Sequence, residues 1–147
     1  MIEIRHLGPG DDAQVAEAGH LLDGPPQAEA VTLFLNDPRH HIFVASEDGK
    51  PVGFVSGVEL THPDKGTEMF LYELSVDEGS RRRGIGAALV DALSQLASER
   101  GCYDMWVLTD EDNEAALRTY ESSGADQSSR HVMLTWSHPG RQRQTDQ

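Results

Sequence analysis

The sequence predicts one α+β domain, a mixed, mostly antiparallel sheet of six to seven strands flanked by about four helices. Three observations predict it. The β-rich and helix-period segments follow one another as strand, two helices, three strands, helix, strand, helix, strand. Asp48-Gly49, the strongest short hairpin signal, joins two of the β-rich runs and makes them antiparallel neighbours. The chain has 147 residues with no internal repeat and no linker, room for one hydrophobic core and not for two.

The elements follow in order. "MIEIRHL" alternates apolar and polar residues and reads as the first strand. "GPGDD" turns the chain into a weak helix over Asp12 to Leu22, which "DGPPQ" breaks. "AEAVTLFLND" sets Val31, Phe34 and Leu35 on one helical face and stops before Pro38. The hairpin strands lie in "HHIFVASEDGKPVGFVSGVEL"; "THPDKG" is a polar loop, and a longer strand runs from Thr67 to Asp77.

From Gly84 to Arg100 the apolar residues Ile85, Ala88, Leu89, Ala92, Leu93, Leu96 and Ala97 recur at steps of three and four, one buried helical face that Gly101 ends. "YDMWVLTD" predicts a strand, and "NEAALRTYESSG" a short helix with Ala116, Leu117 and Tyr120 on one side. "RHVMLTW" predicts the closing strand, Trp136 included. The folded domain is expected over residues 1–137, with a flexible tail over 138–147.

Composition narrows the function. A net charge of −13 argues against nucleic acid, whose phosphates recruit basic faces, and suits a cationic partner. No apolar run is long enough for a membrane span, and the N-terminus lacks a basic start followed by an apolar stretch. The single cysteine, Cys102, admits no internal disulfide, so a reducing cytoplasm is the expected location. The seven histidines show no metal-ligand spacing, and no metal is expected.

Against this acidic background, "SVDEGSRRRGIGAALVDAL" gathers Arg81, Arg82 and Arg83 directly before Gly84-Ile85-Gly86 at the start of a helix. A helix N-terminus carries unpaired N–H groups and partial positive charge. Glycines let an anion approach the backbone, and arginine forks suit phosphate. The segment reads as an anion site for a pyrophosphate. It is not a Walker A loop, because no Gly-Lys-Ser/Thr follows, and Leu89 occupies the third glycine position of the dinucleotide fingerprint.

Arg81-x-x-Gly84-x-Gly86, preceded by "YELSV" and followed downstream by "NEAALRTYESSGA", resembles the acetyl-CoA loop and later helix of the GCN5-related N-acetyltransferase (GNAT) superfamily. Within it, "IRHLGP", "FVASEDGKPVGFVSG", "LYELSVDEGSRRRGIGAALVDAL" and "TDEDNEAALRTYESSGA" are similar to the type I aminoglycoside 3-N-acetyltransferases. The resemblance implies that acetyl-CoA pairs along Leu74, Ser75 and Val76. It implies that Arg81, Arg82, Arg83, Gly84, Ile85, Gly86 and Ala87 wrap the pyrophosphate through backbone amides, and that Asn113, Ala116 and Tyr120 face the cofactor.

The chemistry so implied is direct attack of an amine on the thioester carbonyl with both substrates bound. Tyr120 is the candidate acid for the leaving thiolate, and the Leu74 N–H the candidate donor to developing negative charge. Glu73 or Asp110 is the candidate acceptor of the amine's proton, Glu73 preferred because its strand runs through the reaction centre. Asp23, Glu29, Asp37, Asp64 and Glu68, with Glu73, Asp110, Glu111 and Asp112, are expected to form a negative cleft for a small polycation. The 3-amine of an aminoglycoside antibiotic is the expected acceptor, which would confer antibiotic resistance. A polyamine, an amino-sugar metabolite or a protein N-terminus is the alternative, and a non-catalytic acyl-CoA sensor is the reading from another class. A homodimer through a sheet edge or the C-terminal strand is in keeping with the family.

Overall fold

A computed structural model describes residues 1–140. Five strands form one sheet in the order β1-β2-β3-β4-β5: β1 Ile2–Leu7, β2 His40–Glu47, β3 Lys50–His62, β4 Gly66–Val76 and β5 Met105–Val107. The first four are antiparallel neighbours, and β5 runs parallel to β4. Four helices accompany them: α1 Asp12–Glu17, α2 Ala28–Asn36, α3 Ile85–Glu99 and α4 Glu114–Ser122. α3 is the crossover that a parallel β4–β5 pair requires.

Alternation along the strands divides the core into two layers. On one face Phe43, Ala45, Val55, Met69 and Leu71 pack with Ile85, Leu89, Leu93 and Ala97 of α3. On the other, Ile42, Val44 and Phe54 pack with Val15, Leu21 and Leu35 of the α1–α2 region. The central strands are covered on both sides, so β2 and β3 are apolar nearly throughout. Leu89 and Leu93 are fully buried, each contributing about 1.5–3 kcal/mol of apolar burial.

Turn chemistry behaves as the residues require. Asp48 (φ 51°) and Gly49 (φ 82°) both adopt left-handed backbone between Glu47 and Lys50, the two-residue hairpin expected of Asp-Gly. Arg100 follows the last residue of α3, and its guanidinium donates to buried Glu59 at 2.9 Å; Glu59 also meets buried His41 at 2.6 Å. That buried polar chain ties the end of α3 to β2 and β3, and no periodicity announced it.

Several expectations need correction. The helix expected to Leu22 stops at Glu17 and gives way to a 3₁₀ turn at Gly19–Leu21. Half of "THPDKG" is strand, because β3 continues to His62 and β4 begins at Gly66, leaving Pro63, Asp64 and Lys65 as the turn. The strand expected over 103–110 is three residues long. The sheet has five strands, not six or seven, among the described residues: "RHVMLTW" forms none, and Trp136 is exposed. It pairs with no strand among the described residues. Of the expected tail, residues 141–147 lie outside the described residues.

Candidate active site

The site begins with an irregularity in β4. Glu73 pairs with Ser56 and Leu71 with Gly57, leaving Tyr72 as an extra, unpaired residue. Such a bulge bends the strand and re-aims its side chains. It also explains the shortness of β5, which pairs with β4 only from Met69 to Leu71 and loses its neighbour where the bulge turns β4 away. From Tyr72 to Val76 the outer side of β4 has no strand against it among the described residues. Alternate residues turn their N–H and C=O groups to such an edge. Leu74, Ser75 and Val76 lie on this stretch, half-buried.

The open edge leads straight into the anion loop. Asp77 N–H donates to Val52 O at 2.8 Å, a short 3₁₀ turn spans Glu78–Ser80, and Arg82 is left-handed at φ 65°. Gly84 (φ 78°) occupies the position before α3 and offers no side-chain cap. The first N–H groups of α3, including Ile85, Gly86 and Ala87, are therefore available to an anion.

The arginine side chains divide. Arg83 donates to Glu47 through Nη1 and Nη2 at 2.8 and 2.5 Å, so its side chain points to the β2–β3 turn and its own ionisation is reinforced. Arg81 Nε donates to Val76 O at 3.2 Å, bracing the loop against the end of β4. Arg82 makes no side-chain hydrogen bond or ion pair among the described residues.

Gly86 lies where α3, α4 and the end of β4 converge. A Cβ there would meet Thr119 Cγ2 at 3.4 Å, Val76 Cγ2 at 3.7 Å and Leu74 Cδ2 at 3.9 Å. These are ordinary van der Waals distances between α4, the start of α3 and the end of β4. Through that contact the structure brings Leu74, Val76, Gly86 and the α4 residues together. Asn113 caps α4, its Oδ1 accepting the Ala116 N–H at 3.1 Å. Tyr120 is half-buried against the α3-side core, and burial raises its pKa, so the phenol keeps its proton at neutral pH.

Glu73 faces the other way. Cross-strand partners share a face, and its partner Ser56 lines a recess of about 250 Å³ with Phe34, His40, Val58, Phe70 and Tyr72 on the α2 side. Burial first, then the carboxylate of Asp23, pushes the Glu73 pKa up. The carboxyl has no hydrogen-bond partner among the described residues. Asp110, the other candidate, lies three residues past the end of β5 in an exposed loop.

Four of the nine acids expected in a negative cleft have partners of their own. Asp37 is held by Arg39, whose hydrogen bonds bring its pKa down to about 2. Asp64 pairs with Lys65, Glu111 with Arg130, and Glu68 accepts from His62 and from Tyr103. Asp23 alone of the distant acids acts on Glu73. The wall is aromatic instead: Phe70 stacks on Trp106 at 4.2 Å and meets Tyr72 edge-on at 5.7 Å, while Phe34 meets His40 at 5.1 Å. Sequence reasoning missed this wall. Phe70 and Tyr72 share a face in spite of flanking buried Leu71, a spacing of two that was the available signal. No cluster of three or more His, Cys, Asp or Glu among the described residues suits a metal ion. No described helix is long and apolar enough to cross a membrane.

The comparisons agree with this geometry. Residues 14–125 match the acetyltransferase (GNAT) family. N-acetyltransferase 8 of Rattus norvegicus is 30% identical over 112 residues, 74% of this chain and 50% of that protein. The [ribosomal protein bS18]-alanine N-acetyltransferase of Escherichia coli is 30% identical over 100 residues, 67% of this chain and 64% of that one. The chain spans about half the length, or less, of the first curated relatives it matches. Among solved structures, an aminoglycoside acetyltransferase from an uncultured soil metagenomic sample superposes with a TM-score of 0.82 at 25% identity, covering 92% of this chain and 97% of that one. Aminoglycoside N-acetyltransferase AAC(6′)-Iy, solved with CoA, shares the fold at a TM-score of 0.77 and 20% identity, covering 92% and 95%. Its designation is 6′, not 3. With its splayed β4 edge, open helix start and matching family span, this chain belongs to the GNAT acetyltransferase family, whose members use acetyl-CoA.

Proposed function

We propose that this protein transfers an acetyl group from acetyl-CoA to a primary amine of a cationic small molecule, with an aminoglycoside amine, position 3 among them, as the first acceptor to test. The observation that carries the reading is the splay at the β4 bulge, which has a carboxyl on one face of the sheet and a phenol on the other. The free edge of Leu74–Val76 and the uncapped start of α3 offer main-chain donors and acceptors suited to an extended amide-bearing arm ending in a pyrophosphate. When bound there, acetyl-CoA supplies the activated acetyl group as a thioester.

The chain's own residues do the rest. An acceptor amine arrives as an ammonium at neutral pH. Glu73, made more basic by burial and by Asp23, takes that proton and frees the lone pair. As the N–C bond forms and the C–S bond breaks, the Tyr120 hydroxyl gives its proton to the departing sulfur, and the proton that the nitrogen sheds on becoming an amide passes through solvent to restore the phenol. The Leu74 N–H serves as donor to the charge that develops on the carbonyl oxygen. Asn113 and Ala116 support the start of the helix that carries Tyr120. Work in a reducing cytoplasm accords with the free thiol of Cys102.

The aromatic recess favours a second acceptor, a peptide N-terminus whose first side chain rests on Phe34, Phe70 and Tyr72. The alanine N-acetyltransferase among the relatives accords with it. The deciding experiment is acetyl-CoA-dependent thiol release with gentamicin, kanamycin, a 3-amine-blocked gentamicin, spermidine, glucosamine phosphate and a short peptide. Turnover of gentamicin that disappears with the blocked amine is the expected result. Turnover of the peptide alone transfers the assignment to the second acceptor, and acetyl-CoA binding without turnover of any amine leaves a sensor.

A further inference from the structure

Ser56 carries a hydroxyl with nothing to bond. The residue is 5% exposed, and its Oγ is buried without a hydrogen-bond partner among the described residues. A hydroxyl cut off from water in this way is destabilising unless a neighbouring group takes it up. Ser56 also lines the recess with Phe34, His40, Val58, Phe70 and Tyr72, so the orphaned group stands beside the candidate acceptor site.

Strand register says which group can reach it. The cross-strand partners of Ser56 are Ile42 of β2 and Glu73 of β4, and Phe54 and Val58 flank it on the same face of β3. Ile42, Phe54 and Val58 are apolar, and Glu73 alone among them accepts a hydrogen bond. Cross-strand Cβ atoms lie about 4.5–5.5 Å apart, and a rotamer change in the longer Glu73 side chain closes the remaining gap. The bulge creates this pair. Without the extra residue, Tyr72 would stand opposite Ser56, and Glu73 opposite Val55 on the α3 side. Burial and Asp23 raise the Glu73 pKa, with no hydrogen bond to oppose them. An ionised carboxylate in that setting is stabilised by a donor more than a neutral carboxyl is.

We propose that Ser56 is a positioning residue for Glu73: its hydroxyl donates to the ionised carboxylate and holds it in the recess where an acceptor amine arrives. Ser56 itself neither gains nor loses a proton. When Glu73 takes the amine's proton it becomes neutral and the hydrogen bond weakens, so the pair favours the proton-accepting form. The part in catalysis rests on Glu73 as the base; the hydrogen bond does not.

The test is an NMR titration of the Glu73 carboxyl carbon in the full chain, its signal identified by its loss in Glu73→Gln. Asp23, His40 and Tyr72 are the other titratable groups facing the recess, and all three stay intact in the variants compared. Removing a donor to the charged form raises a pKa. Ser56→Ala, which loses one atom and fills no new space, is expected to raise the Glu73 midpoint by about one unit, a tenfold gain in proton affinity. Ser75 shares the face two residues along β4 but is only half-buried, with solvent to satisfy it. Ser75→Ala is expected to leave the midpoint in place. A midpoint unmoved in Ser56→Ala, or moved equally by both substitutions, overturns the proposal. Kinetics tests the catalytic part separately. With an amine turned over in the thiol-release assay, the acidic limb of kcat/KM in Ser56→Ala is expected to follow the midpoint to higher pH. A limb that stays while the midpoint moves overturns Glu73 as the base and leaves the hydrogen bond standing.

Discussion

Glu73→Gln separates catalysis from stability, because burial and Asp23 oppose the charge that the proposed mechanism requires. Glutamine keeps the shape and polarity of the side chain and removes its proton affinity. A positioned general base contributes about 10²–10⁴ in rate, about 2.7–5.4 kcal/mol of barrier at 1.36 kcal/mol per decade. kcat/KM is expected to fall by that factor, with acetyl-CoA affinity little changed because Glu73 faces away from the α3 loop.

Stability should move in the opposite direction. Burial raises the Glu73 pKa in the folded chain, so the native state binds the proton more tightly than the unfolded state. The slope of unfolding free energy with pH is then negative between the ordinary glutamate value and the raised one. Wild type therefore loses stability as pH rises through that window, and the variant does not. Melting temperatures should coincide near pH 4, about the ordinary carboxyl value, with the variant higher at neutral pH. Thermal scans across pH and a pH profile of kcat/KM test both halves. A wild-type kcat/KM in Glu73→Gln removes it as the base, and a slow Asp110→Asn would then move the role there. A variant less stable than wild type at neutral pH refutes the desolvation argument.

Three further outcomes are expected. Asp23→Asn removes the charge that helps raise the Glu73 pKa, so the acidic limb of the kcat/KM profile should move to lower pH; an unmoved limb would uncouple the two carboxyls. Tyr120→Phe removes a hydroxyl that makes no hydrogen bond among the described residues, so it should slow turnover by about 10²-fold or more without lowering the melting temperature or acetyl-CoA affinity; a wild-type rate would end its role as acid. Gly57→Ala places a Cβ 2.8 Å from Leu93 Cδ2 and 3.1 Å from Met69 Sδ, both on fully buried side chains, and should cost about 1–3 kcal/mol, about 2–12 °C in melting temperature at this chain length; an unchanged melting temperature would show that Leu93 has room to yield.

The strongest local patterns were read correctly. The steps of three and four from Ile85 to Ala97 specify a helix whichever neighbours it meets, and α3 runs from Ile85 to Glu99. Asp48-Gly49 specifies its hairpin because few other residues accept two successive left-handed conformations. The arginine–glycine run before α3 announced an open helix start because missing caps are a property of the adjoining residues. What depended on distant partners was not legible in the same way. The bulge at Tyr72 exists only as a mismatch between β3 and β4, and it decides where β5 ends and where the cleft opens. Arg83 looked like a phosphate fork until folding placed Glu47 beside its side chain. Four of the nine acids counted toward a negative cleft, Asp37, Asp64, Glu68 and Glu111, acquired partners. "RHVMLTW" has the alternation of a strand, but a strand is completed by an edge outside itself. By itself, the sequence determined α3, the tight turn and the family, each a matter of neighbouring residues. Tertiary structure decided strand pairing, the two faces of the cleft and the environment of Glu73, because pairing and desolvation are properties of residues far apart in the chain.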